Sequence, residues 1–153
     1  QPPKRFLGSG TQYPMRLYLT ISLLLTLFHT AWADTTNRAK QFSPVPGIFV
    51  GGVGLECKSN TPNIVEFLLL TKDRQRAGLA VFDNDDVTYD FMAITKTTPR
   101  TYIVKQGNIE FVLDRQTLKL TMEQGYDCTV MSISDLHNAA KDFLRTLLSE
   151  NKI

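Results

Sequence analysis

The sequence predicts a small antiparallel β-barrel or β-sandwich of about seven or eight strands, with one amphipathic helix at its C-terminal end. From Ile48 onward, short runs of apolar and β-branched residues alternate with groups of turn-forming residues, as they do in all-β domains. From Ser134 onward, the apolar residues recur at helical spacing instead. This change of period places the helix after the strands.

The first strands are predicted in the segments 48–57, 64–70 and 77–82. Glycines at three positions of the segment 48–57 indicate a bulged strand, or one that another part of the chain crosses closely. A phosphate-binding loop would need a strand before it, a helix after it and a fixed glycine spacing, and this segment shows none of these. We therefore expect no nucleotide or other cofactor.

A run of alternating residues follows at 87–95, where Val87, Tyr89 and Phe91 share one face. Four more strands are predicted between residues 101 and 131, separated by turn sequences at 106–108, 114–117 and 124–125. Because short turns join antiparallel strands, this part of the chain predicts a meander.

The predicted helix covers residues 135–150, with Ser134 as its N-cap. Its apolar stripe predicts docking on the sheet, and a partner-binding or membrane-surface helix is the alternative. His137 lies beside the stripe, and we expect it to be a solvated helix residue rather than a catalytic one.

An export signal is predicted at residues 15–33. Arg16 gives the positive start, residues 17–28 are mostly apolar, and Ala31-Trp32-Ala33 supplies small residues for cleavage between Ala33 and Asp34. A retained membrane anchor is the alternative. We expect residues 1–14 to be an upstream, unstructured leader, residues 34–46 to form a flexible mature N-terminus, and residues 47–153 to form a single domain.

The mature chain would be nearly neutral. Three of the 17 basic residues precede the predicted cut, which leaves 14 against 15 acidic residues and a net charge of −1. Nucleic-acid binding requires concentrated positive charge, so we expect no nucleic-acid partner. Contact with a membrane is expected only through the signal peptide before cleavage.

Cys57 and Cys128 are the two cysteines, 71 residues apart. In an exported protein such a pair is most often a disulfide. A pair of free thiols or a metal site is the alternative, and a metal site would need more ligands, whereas the predicted mature chain has His137 as its single histidine. We therefore predict a disulfide and no metal.

Two charged turns are the candidate partner loops, because binding residues concentrate on loops. One is basic and the other is acidic, and their candidate partner-binding residues are Lys72, Arg74, Arg76, Asp83, Asp85 and Asp86. The acidic turn lacks the spacing of an EF-hand, so an ordinary turn is favoured over a calcium site. Glu56, Glu66 and Glu110 leave a carboxylate-based hydrolase open, because such chemistry depends on a separation that the sequence does not give.

The order of signal peptide, cysteine in an early strand, β-meander and cysteine in the last strand resembles small periplasmic β-barrel proteins such as the inhibitors of C-type lysozyme. The resemblance covers about residues 55–130 and implies a β-barrel that binds a hydrolase. Those inhibitors carry a Ser-Gly-x-x-Tyr loop that enters the enzyme cleft, and residues 55–130 contain no such sequence.

Together these features predict an exported, non-enzymatic binding protein with a protein or small-ligand partner, located outside the cell or in the periplasm. A periplasmic or secreted inhibitor of a lysozyme-like hydrolase and a carrier of a small apolar ligand, held among Tyr89, Phe91 and Phe111, are the alternatives.

Overall fold

Eight antiparallel strands form a closed barrel in the computed structural model, which describes residues 41–150. Each strand pairs with its neighbours in sequence, and the last strand pairs with the first. The strands are β1 (Val53–Ser59), β2 (Val65–Leu70), β3 (Arg76–Asp83), β4 (Asp86–Thr97), β5 (Thr101–Gln106), β6 (Ile109–Asp114), β7 (Lys119–Thr121) and β8 (Gly125–Met131). A 3₁₀ turn (Gly47–Phe49) precedes them and helix α1 (Ile133–Glu150) follows. The predicted fold class is confirmed, and the architecture is a barrel rather than a sandwich.

The barrel interior is filled by side chains from alternate positions of the strands, as is usual for small eight-stranded barrels. Its buried residues are Leu55, Cys57, Leu68, Leu70, Ala77, Met92, Ile94, Tyr102, Val104, Phe111, Leu113, Leu120 and Tyr126. Tyr89 and Phe91 are absent from this group, because their row of β4 faces the outside of the barrel. Of the three aromatic residues expected around an apolar ligand, only Phe111 points inward.

A second core lies on the outside of the barrel, where α1 covers β1, β2 and β4. Leu136, Ala140 and Leu144 are buried against Phe67 and Leu69 of β2. The helix crosses β1 at Gly54, where an added Cβ would lie 2.7 Å from the Cβ of Leu136. The amphipathic stripe therefore docks on the protein's own sheet.

The first predicted strand was placed too early. The segment begins with the 3₁₀ turn, and pairing starts at Val53. The expectation of a close crossing does hold, at Gly54. At Gly52 an added Cβ would come within 2.0 Å of the Leu70 carbonyl oxygen, so a glycine is needed where the chain passes the end of β2.

Ser132, not Ser134, caps the helix. The Asp135 backbone N–H donates to the Ser132 hydroxyl at 3.1 Å, and this hydroxyl donates to the Asp135 carboxylate at 2.7 Å. Helix α1 accordingly begins at Ile133, two residues before the predicted start.

Residues 41–46 are the described part of the segment predicted to be flexible. Phe42 packs against the outer core, and the guanidinium of Arg145 lies 5.1 Å from its ring centre. The Ser43 N–H donates to the Asp86 carboxylate at 2.9 Å. The predicted leader, signal peptide and Ala33–Asp34 cleavage point lie outside the described residues. Among the described helices, none is long and apolar enough to span a membrane.

Candidate functional site

The two candidate loops lie at opposite ends of the barrel. Strand β3 begins at Arg76 and ends at Asp83, so its length separates them. Eight residues that rise about 3.3 Å each place the two ends roughly 23 Å apart. The basic and acidic turns therefore cannot form one site, and they must be considered separately.

Charge is strongly polarised between these ends. We call the end formed by residues 71–76, 96–100 and 114–118 the basic end, and the end formed by residues 59–64, 83–86, 107–108 and 122–124 the acidic end. The charged residues of the basic end are Lys72, Asp73, Arg74, Arg76, Lys96, Arg100, Asp114 and Arg115, and those of the acidic end are Asp83, Asp85, Asp86 and Glu123. The basic end thus carries six cations against two carboxylates, although the predicted mature chain is nearly neutral.

The basic turn 71–76 is held in one shape by hydrogen bonds around buried Thr71. The Thr71 hydroxyl lies 2.6 Å from the Asp73 carboxylate and accepts the Arg76 backbone N–H at 3.1 Å. The Gln75 backbone N–H donates to the same carboxylate at 3.0 Å. The hydrogen bond from Thr71, followed by that from Gln75, lowers the pKa of Asp73. The Lys72 and Arg76 side chains remain exposed on this rigid turn.

A groove of about 700 Å³ lies between this turn and the segment 47–52. It is lined by Ile48, Thr71, Lys72, Asp73, Gln75 and Arg76. At Gly51, where φ is +74°, an added Cβ would lie 3.3 Å from Cδ of Lys72. The groove therefore combines two exposed cations and one exposed carboxylate, that of Asp73, with apolar surface from the 47–52 segment.

Exposed apolar side chains extend this surface. Val50 is 77% exposed, Ile48 is 41% exposed, and Phe91 is 52% exposed. Phe49, between Ile48 and Val50 in sequence, is buried and stacks on Phe91 with ring centres 5.7 Å apart. The buried Phe49 anchors the segment while its two neighbours face solvent. We call Ile48, Val50, Lys72, Arg76 and Phe91 the binding rim.

The acidic turn has a structural role. Asn84, with φ of +53°, and Asp85 connect β3 to β4. The Asp86 carboxylate accepts hydrogen bonds from the Ser43 hydroxyl at 2.5 Å and the Ser43 N–H at 2.9 Å, and these bonds lower the pKa of Asp86. Within residues 41–150, no group of three or more histidine, cysteine or acidic residues is arranged to hold a metal ion.

His137 is buried, and the expectation of a solvated helix residue is wrong. It is 8% exposed because its face of α1 packs on β4, where the Tyr89 hydroxyl lies 2.9 Å from its Nδ1. Burial and, to a smaller extent, the charge of Lys141 lower the pKa of His137. Ser43 and Asp86 act in the opposite direction, and the net effect is a lowered pKa. In a hydrolytic triad, a serine hydroxyl would have to form a hydrogen bond with the histidine ring. The nearby Ser43 hydroxyl instead bonds Asp86.

The three glutamates considered for hydrolysis lie apart: Glu66 is on the inner face of the barrel, whereas Glu56 and Glu110 are on the outer face of strands that β7 and β8 separate. Glu56 lies on the outside of β1, 3.2 Å from the Lys58 ammonium, and Glu110 lies on the outside of β6, 3.0 Å from that of Lys105. Glu66 lies on the inner face of β2, opposite Cys57, and burial raises its pKa. These three side chains therefore do not form the facing pair of carboxylates that glycoside hydrolysis uses.

Cys57 and Cys128 form the predicted disulfide, with the two sulfur atoms 2.04 Å apart. They are paired residues of β1 and β8. The bond is compatible with an oxidising location.

Comparison of this chain with protein-family models, curated proteins and solved structures found no match.

The sequence pattern singled out Lys72, Arg74 and Arg76 but missed Ile48 and Val50 as surface residues. Both lie in a segment that was predicted to be a strand. Pro44 and Pro46 before Gly47 were the available signal, because prolines favour turns over paired strands.

Proposed function

We propose that this chain is a small exported binding protein that attaches to an acidic protein surface through its binding rim. The observation that carries the proposal is the groove beside the rigid turn 71–76, where exposed Lys72 and Arg76 lie next to exposed Ile48. The predicted signal peptide and the disulfide support export.

An acidic protein fits this surface better than a nucleic acid does. Interface cores combine apolar anchors with a charged rim, and Ile48 and Val50 supply anchors that phosphate-backbone binding does not require. Opposite charges on the partner would also steer its approach, an effect that salt weakens.

A fluorescence-anisotropy titration with a short labelled peptide of glutamates and a few leucines tests the proposal. We expect saturable binding that weakens with added salt. The double variant Lys72→Gln/Arg76→Gln should weaken it at least about tenfold. The control Lys58→Gln/Lys105→Gln removes the same charge outside the rim and should leave affinity unchanged. Equal losses in the two double variants, or tighter binding of a single-stranded DNA oligonucleotide, would overturn the proposal.

Inhibition of a lysozyme-like hydrolase is the second candidate, and the rigid basic turn is the observation that favours it. Glycoside hydrolases carry two carboxylates in their cleft, which an exposed Lys72 on a fixed turn would complement. Adding the protein to C-type lysozyme should then lower hydrolysis of cell-wall substrate, and Lys72→Gln should restore it. Full lysozyme activity with excess protein would remove this candidate while leaving the acidic-surface proposal intact.

A further inference from the structure

A separate pit opens at the basic end of the barrel. It has a volume of about 220 Å³ and is lined by Val53, Leu55, Leu70, Arg74, Tyr102, Leu113, Arg115, Leu118 and Val130. It is smaller than the pockets of roughly 300–1,000 Å³ that hold drug-sized ligands, so it suits a small organic molecule. Its floor is the apolar core of the barrel, and of the described residues that line it, none is acidic.

Two guanidinium groups border the pit in fixed positions. Arg74 donates to the Thr71 carbonyl at 2.6 Å, and Arg115 donates to the Thr98 carbonyl at 2.8 Å while lying 4.5 Å from the centre of the Tyr102 ring. A guanidinium has five N–H donors and matches carboxylate geometry. One backbone bond each leaves both arginines with donors for an anion.

Backbone strain is concentrated at the same place. Four described residues other than glycine have positive φ: Asn63, Arg74, Asn84 and Leu118. Asparagine adopts this conformation readily, whereas arginine and leucine do so at a cost. The two costly residues, Arg74 at +58° and Leu118 at +55°, both line the pit. Such strain is typical of residues held in place for binding.

Val130 adds an apolar wall that is 50% exposed at the pit. An apolar wall and floor below two cations suit a ligand with an apolar body and one anionic head. We propose that the pit binds a small amphipathic carboxylate, with its chain against Leu118 and Val130 and its head between Arg74 and Arg115. This site is independent of the proposed protein partner, which uses Lys72 and Arg76.

The probe is hexanoate, titrated into the protein while the methyl resonances of Leu118 and Val130 are followed by NMR. We expect saturable shifts with a dissociation constant on the order of 1 mM or below. Hexanol, which has the same chain without charge, should bind at least about tenfold more weakly, and hexylammonium should leave the resonances unmoved.

Arg115→Gln should weaken hexanoate binding at least about fivefold. Arg74→Gln provides an independent variant that keeps the stacking of Arg115 on Tyr102. The control Arg76→Gln, at the groove instead of the pit, should bind hexanoate as the wild type does. Equal affinity for hexanoate and hexanol, no saturable shift, or wild-type affinity in both pit variants would overturn the proposal. Because the peptide titration uses Lys72 and Arg76, either proposal can fail without the other.

Discussion

Cys57 and Cys128 lie directly opposite each other across the β1–β8 pairing, where the two ends of the strand meander meet. Hydrogen bonds alone would close the barrel at this seam, and the disulfide adds a covalent link between residues 71 positions apart. In the chain-entropy view, a link over so long a loop stabilises mainly by restricting the unfolded chain.

Replacing both cysteines, as Cys57→Ala/Cys128→Ala, should lower the free energy of unfolding by about 2–4 kcal/mol. Urea unfolding followed by circular dichroism measures the loss, and wild-type protein unfolded with a reducing agent provides a control that keeps both side chains. A loss below about 1 kcal/mol in both samples would show that the strand pairing closes the barrel without the disulfide.

Docking of α1 predicts that alanine substitutions at two leucines of this helix will lower stability by very different amounts. Leu136 is fully buried against Gly54, whereas Leu148 is 44% exposed. Leu136→Ala should cost about 3 kcal/mol of stability, because it removes buried contacts and leaves a cavity. Leu148→Ala should change stability by no more than about 0.5 kcal/mol. Similar losses in the two variants would contradict the observed orientation of the helix.

The N-cap of α1 allows a second comparison of two matched variants, one at Ser132 and one at Ser134. Ser132→Ala removes the hydroxyl that accepts the Asp135 N–H and should cost about 1 kcal/mol. Ser134→Ala leaves this bond in place, so a change near zero is expected. Thermal unfolding of both variants decides which serine caps α1, and a larger loss from Ser134→Ala would restore the original prediction.

His137 should make stability depend on pH. Its pKa is lowered below the ordinary 6.5 in the folded protein, so near that pH the unfolded chain binds more protons. Stability should therefore fall as the pH drops below about 6.5, until the folded-state pKa is passed. His137→Gln should remove this slope, although it also loses the contact with Tyr89. Unfolding measured between pH 7 and pH 5 tests the effect. An unchanged slope in the variant would assign the pH dependence to other groups.

The fold was predictable from the sequence because the patterns that indicate its strands, turns and helix each involve residues that are close together in the chain. Alternation at residues 101–131, short turns and the apolar stripe of α1 each depend on neighbouring positions. The burial of His137 was missed because its partner, Tyr89, is 48 positions away and reaches it only once the helix docks. The separation of charge between the two ends of the barrel was not predicted, for a related reason. Consecutive turns of a meander alternate between the two ends of the barrel. The net charge of the chain sums over both ends, so it does not show which charged residues lie at the same end.

Binding at the basic end is tested most directly by assigning the backbone NMR spectrum and adding the acidic leucine-containing peptide. The predicted result is a set of saturable shifts concentrated in residues 47–52 and 71–76, with Phe91 included and the 83–86 turn unmoved. Shifts centred on 83–86, or spread evenly over the barrel, would contradict a binding rim formed by Ile48, Val50, Lys72, Arg76 and Phe91.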